Sequence, residues 1–105
     1  MNSKTIAALN VSAGCKRLLA DLIRTRNARA VGYLVRRAVA RRDELLGKDE
    51  ADACDFDMSK IKEVKSRKRL SDMFDRIEAL VERKDLSVFC AAAIAQRKAV
   101  RKARA

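Results

Sequence analysis

The side chains able to do chemistry in this sequence are overwhelmingly cationic. Its 105 residues hold 25 Lys and Arg against 14 Asp and Glu, a net charge of +11, and no His. Without His the commonest general base and the commonest zinc ligand are missing, which excludes a Ser-His hydrolase and a zinc finger. Cys15, Cys54 and Cys90 are far apart and form no Cys-x-x-Cys pair. They read as free thiols of a reducing compartment rather than a disulfide framework or a metal site. Gly14, Gly32 and Gly47 are isolated, so there is no glycine-rich phosphate loop, and Gly47 after Leu45-Leu46 reads as a helix C-cap. The acids from Asp49 to Asp57 could serve a metal-dependent nuclease only on a rigid scaffold, and they fall in an expected connector. The reading is non-enzymatic, with no catalytic residue, no metal and no cofactor.

Binding of a polyanion remains. Arg outnumbers Lys, and the planar guanidinium fork makes bidentate contacts with phosphate. The charge is unevenly spread: residues 1–42 carry +9, residues 43–57 carry −6 and residues 58–105 carry +8. Two basic helical regions thus flank an acidic connector, which is either a solvated loop or a screen for the basic faces. The candidate contacts are Arg36, Arg37, Arg41 and Arg42 in the first half and Lys65, Arg67, Lys68 and Arg69 in the second. Aromatic residues make up only 4%, which argues against unpaired bases as ligand, because single strands are gripped by stacking. Tyr33 is the one stacking platform expected at the surface, with Phe56, Phe74 and Phe89 assigned to the core. Double-stranded nucleic acid, DNA ahead of RNA, is the expected partner. The competing readings are merely solvated charge, or basic helices that dock an acidic protein or ribonucleoprotein.

The elements that must position these residues are all helical. Cys15, Leu18, Leu19, Leu22 and Ile23 share one face of a helix capped by Asn10 or Ser12. Val31, Leu34, Val35, Ala38, Val39 and Leu45 share another, rotated from the first by roughly 150° at 100° per residue. A straight helix cannot bury both on one side, so a kink or turn is placed within residues 24–29 with Asn27 as the next cap, the alternative being a single long helix that contacts different partners along its length. In the second half Met58, Ile61 and Val64 oppose Leu70, Met73, Phe74, Ile77, Leu80 and Val81, which places a helix over about 69–83 with Asp57 capping its extension. Asp85 is expected to cap a last helix carrying Leu86, Phe89, Cys90, Ala93 and Ile94. Lys16-Arg17-Leu18 and Ala38-Val39-Ala40-Arg41-Arg42 are echoed by Lys68-Arg69-Leu70 and Ala93-Ile94-Ala95-Gln96-Arg97. The two spacings differ by three residues, so a true repeat is not expected. The fold class is all-α, four to five helices in kinked helical hairpins. The domain spans 1–105, with 1–11 and 98–105 mobile and 47–57 the acidic connector. Its thin aliphatic core is expected to be completed by homodimerisation.

Residues 56–64, Phe-Asp-Met-Ser-Lys-Ile-Lys-Glu-Val, followed by Arg67-Lys68, resemble the central stretch of the GapR-type nucleoid-associated proteins. That resemblance implies a helical dimer or tetramer that clamps duplex DNA, although the uninterrupted heptads expected before the stretch are absent. In size and architecture alone the chain is similar to the helical silencing suppressors of nodaviruses, which implies a dimer laid along double-stranded RNA. A ribbon-helix-helix regulator would need residues 4–11 as a strand, and they alternate poorly. No run approaches the roughly 18 apolar residues of a membrane span. Ser12-Ala13-Gly14-Cys15 imitates a lipoprotein signal without the preceding apolar length, and the Arg-rich start imitates a transit peptide while also patterning as folded helix. The compartment expected is the cytoplasm or nucleoid, or the host cytoplasm for a viral protein.

Overall fold

A computed structural model describes residues 2–47 and 58–104. The described residues are all-α and contain no strand. Helices α1 (Ser3–Ala8), α2 (Ala13–Arg24) and α3 (Ala28–Leu45) are followed by a 3-10 turn (Met58–Lys60), α4 (Val64–Glu78) and α5 (Arg83–Arg104). Three of the helices begin at side chains that accept from otherwise unpaired N–H groups: Asn2 from Thr5, Ser12 from Cys15 and Asn27 from Ala30. Helix α3 stops where Gly47 takes φ 71°, a left-handed conformation that suits Gly, and the Gly47 N–H bonds to the Glu44 carbonyl. The expected break is a turn at Thr25-Arg26-Asn27. It aims both stripes inward, so Cys15, Leu18, Leu19 and Leu22 are buried together with Val31, Leu34, Val35 and Ala38.

Several boundaries differ from expectation. The helix placed at 69–83 begins at Val64 and ends at Glu78. Val81 therefore falls in the connection and is 68% exposed, and Val64, at the helix start, is 54% exposed. The terminal stretches expected to be mobile contain structure: Ile6 of α1 is buried, and α5 continues to Arg104 with Val100 buried. Residues 48–57, which include Cys54, Phe56 and the cap expected at Asp57, lie outside the described residues. Asp85 is not the cap of α5. It sits in the first turn, 4% exposed, and accepts from Ser12 N at 3.1 Å and Ser12 Oγ at 2.6 Å. A carboxylate buried this deeply needs such donors, and here it ties the start of α5 to the start of α2.

The other end of α2 is also tied to α5. Gln96 Nε2 donates to the carbonyls of Thr25 at 2.9 Å and Ile23 at 3.4 Å. Contacts of start with start and end with later turn mean that α2 and α5 run parallel. Helices α3 and α4 are parallel too, since Arg37 Nε lies 2.9 Å from Glu78 Oε1 and Arg41 Nη2 donates to the Leu80 carbonyl at 3.3 Å. The four longer helices thus run up, down, down, up in chain order.

The two halves of the chain share one pattern of burial. Adding 55 to the buried positions Ile6, Cys15, Leu18, Leu19, Leu22 and Thr25 gives Ile61, Leu70, Met73, Phe74, Ile77 and Leu80, all buried except Phe74, which is half-buried. Adding 55 to Ala30, Val31, Leu34, Val35 and Ala38 gives Asp85, Leu86, Phe89, Cys90 and Ala93, all buried. The contacts are reciprocal as well. Arg41 bonds to the Leu80 carbonyl as Gln96, its counterpart, bonds to the Thr25 carbonyl. Asp21 and Arg76, which are counterparts of each other, form an ion pair. Reciprocity of this kind points to a twofold relation, so the chain is a repeat after all, two helix pairs about an approximate twofold axis, each helix packed mainly on the other pair.

Both described cysteines are buried thiols. Burial, and then the negative charge of Asp85, pushes the Cys15 thiol up to about 11 from the ordinary 9.0. Burial also raises Cys90, with Arg42 opposing and Asp43 adding to the rise. A raised thiol pKa means that the neutral form is favoured by the fold. Its stabilisation is complete below pH 9.0 and is lost as the pH climbs through about 11. Denaturant unfolding of the wild type and Cys15→Ala across this range is expected to show the wild type losing stability faster above pH 9.0. Parallel curves would show that Cys15 is not held as a neutral thiol.

Candidate functional site

The apolar stripe of α5 runs through Leu86, Cys90 and Ala93, and on helical spacing it continues to positions 97 and 101. Both are Arg. They face the first turns of α3 across an open cleft of about 680 Å³, whose lining residues on the α3 side include Arg26, Arg29, Gly32, Tyr33 and Arg36. Five arginines therefore converge from the α2–α3 turn, α3 and α5, and among the described residues no Asp or Glu lines the cleft. Among the described residues no ion pair engages Arg26, Arg29, Arg97 or Arg101. The Nε of Arg97 is buried without a hydrogen-bond partner. Gly32 keeps the wall low: a Cβ there would meet no atom within 4 Å.

Like charges gathered around a concave surface reinforce one another's potential and repel one another in the folded state. The arrangement suits several oxyanions at once, because each guanidinium offers a planar pair of donors. Among the described residues no group of three or more Cys, Asp or Glu gathers to hold a metal ion, and no described helix is long and apolar enough to cross a membrane. Tyr33, half-buried in the wall, is the single aromatic side chain of the cleft among the described residues.

The candidate residues read from the sequence are dispersed by the fold. Arg36 lines the cleft. Arg37 is ion-paired with Glu78, the Nε misdirected for a hydrogen bond, and its guanidinium lies 5.8 Å over the Phe74 ring. Arg41 is bonded to the Leu80 carbonyl and lies 3.2 Å from Glu44, and Arg42 lies 3.8 Å from Asp43. These three are on the flanks of α3 turned to α4 and the chain's acids. In α4, Lys65 and Lys68 are exposed, Arg67 is half-buried and Arg69 lines a separate, smaller cleft. Arg26, Arg29, Arg97 and Arg101 were not singled out by sequence. The available signal was positional: arginines at 97 and 101 where the buried stripe of α5 predicts apolar residues.

Two measurements bear on this geometry. Gly inside a helix is less stable than Ala by about 1 kcal/mol, so Gly32→Ala is expected to raise stability by that order, whereas Gly32→Phe fills the cleft and weakens anion binding. Thermal midpoints should rise when phosphate or sulfate is added at constant cation concentration, because the anions offset the repulsion among the arginines. A midpoint insensitive to these anions would show that the cleft does not attract them. No family model, curated protein or solved structure matches this chain.

Proposed function

We propose that this protein binds double-stranded nucleic acid through its phosphate backbone, with little dependence on base sequence and without catalysis. The observation that carries the reading is the convergence of five arginines, with no acid among the lining residues, on one open cleft. A mere solvated face would intersperse acids with the bases, as this chain does along the C-terminal half of α3, where Arg41 and Arg42 lie beside Asp43 and Glu44. An oxyanion in the cleft would supply a partner to Arg26, Arg29, Arg97 and Arg101, which no ion pair engages among the described residues. Affinity from such contacts comes mostly from the release of counterions condensed on the duplex.

A duplex is preferred over a single strand because Tyr33 alone offers a stacking surface in the cleft and unpaired bases are held chiefly by stacking. DNA is placed ahead of RNA on the resemblance of residues 56–68 to GapR-type proteins. On that reading the chain acts as a nucleoid, plasmid or phage regulatory protein. Double-stranded RNA remains the ligand to compare.

The test is a mobility-shift series against duplex DNA and duplex RNA across salt. Affinity is expected to fall linearly in log–log form with a slope of about −0.9 for each phosphate neutralised. Substituting Arg97→Gln and Arg101→Gln together should make the slope shallower by about two and weaken all sequences alike. Failure to bind any duplex at low salt would sink the proposal. Retention of a stoichiometric acidic protein after nuclease treatment would instead favour a protein partner.

A further inference from the structure

The arginine cleft has a neighbour. A second cleft of about 240 Å³ opens where α4 begins beside the end of α2, with Arg24, Arg26 and Arg69 in its wall beside Ser66 and a single acid, Glu63. Ser66 Oγ donates to Glu63 Oε2 at 3.3 Å, so that carboxylate is partly engaged. Arg26 and Asn27 belong to both clefts. The two are therefore contiguous across the α2–α3 turn, and together they present seven arginines.

We propose that one anionic backbone crosses this turn from the larger cleft into the smaller, and that only this pole of the molecule carries it. The inference rests on the duplex-binding reading and adds where the strand runs and where it does not. The twofold relation supplies the internal comparison. At the opposite pole, Ala79, Val81 and Gly14 occupy the places of Arg24, Arg26 and Arg69, and the counterpart of the smaller cleft is present there, about 300 Å³, lined by those three residues among others. Its charges cancel, Arg17 and Arg76 against Glu82 and Asp85. At the counterpart of the larger cleft Val81, Ala91 and Leu46 stand in the places of Arg26, Arg36 and Arg101, while Lys84 and Arg42 keep a positive charge in the places of Arg29 and Arg97. The fold makes equivalent surfaces at both ends, and the arginines are concentrated at one.

The turn between the clefts is fixed in place. Gln96, next to Arg97, donates to the Thr25 carbonyl, and Thr25 Oγ1 donates to the Asp21 carbonyl. Arg26 is thus presented from backbone that is anchored to α5.

The experiment measures anisotropy of a labelled duplex of about 16 base pairs titrated with the full chain at several salt concentrations. Arg69→Gln and, separately, Arg24→Gln alter only the smaller cleft, and Arg17→Gln alters only the opposite pole. Circular dichroism confirms that each variant keeps its helices. The expected result is a several-fold loss of affinity and a salt slope shallower by about one for Arg69→Gln and Arg24→Gln, with Arg17→Gln unchanged. Wild-type binding that neither Arg69→Gln nor Arg24→Gln alters would overturn the track and leave the duplex-binding reading standing. Equal losses from Arg17→Gln and Arg69→Gln would overturn the restriction to one pole. No binding by the wild type removes both readings together.

Discussion

A chain reversal inside a bundle leaves carbonyl groups that no following helix can use, and here the carbonyls at Thr25 and Leu80 are taken up by Gln96 and Arg41 of the opposite hairpin. Much else depends on these two reciprocal bonds. They hold each turn against the later part of a helix from the other half, and so set the register in which the stripes of α2, α3, α4 and α5 meet. Thr25 is itself buried, which makes the unpaired alternative costly, since a buried carbonyl without a donor costs roughly 1–3 kcal/mol. The Asp85–Ser12 contact secures α2 at its other end. Polar bonds therefore specify how the hairpins dock, and the aliphatic core supplies most of the driving force.

The same pair of bonds shows how the halves have specialised. Gln at 96 and Arg at 41 make equivalent contacts, yet Arg41 also sits beside Glu44, while Gln96 is followed by Arg97 with no acid near it in the cleft lining. Around one turn stand Arg24, Arg26 and Arg29; around the other stand Ala79, Val81 and Lys84. Most paired buried positions are apolar in both halves, Thr25 with Leu80 and Ala30 with Asp85 excepted. The surface has diverged in charge.

Much of the fold was legible in the sequence because helical periodicity records burial directly. The rotated stripes required a turn near Asn27, and Ser12 and Asn27 cap as their side chains suggest. The repeat was harder to see. At a spacing of 55 only Ile6 with Ile61, Ala38 with Ala93, Ala40 with Ala95 and Arg42 with Arg97 are identical among the described residues. The echo of Ala38-Val39-Ala40 lies in this register, while that of Lys16-Arg17-Leu18, at 52, is a coincidence of composition. The site was legible only in part. Runs such as Arg36-Arg37 and Arg41-Arg42 draw the eye, but adjacent residues on a helix lie about 100° apart. One member of a run can meet the ligand while the next is held by an acid, as Arg37 is by Glu78. Convergence of Arg26 with Arg97 depends on helices distant in sequence, and no local pattern announces it.

The up, down, down, up order of the helices has an electrical consequence. Each pole of the bundle receives the N-termini of two helices and the C-termini of the other two, so the backbone dipoles largely cancel there, and the twofold relation makes what is left the same at both ends. Any difference in potential between the poles must then come from side chains. The molecule behaves as a lopsided charge mounted on an electrically even-handed frame. On the duplex-binding reading, a uniformly negative rod would exert a torque on it as well as an attraction and would turn its arginine end forward before any contact is made.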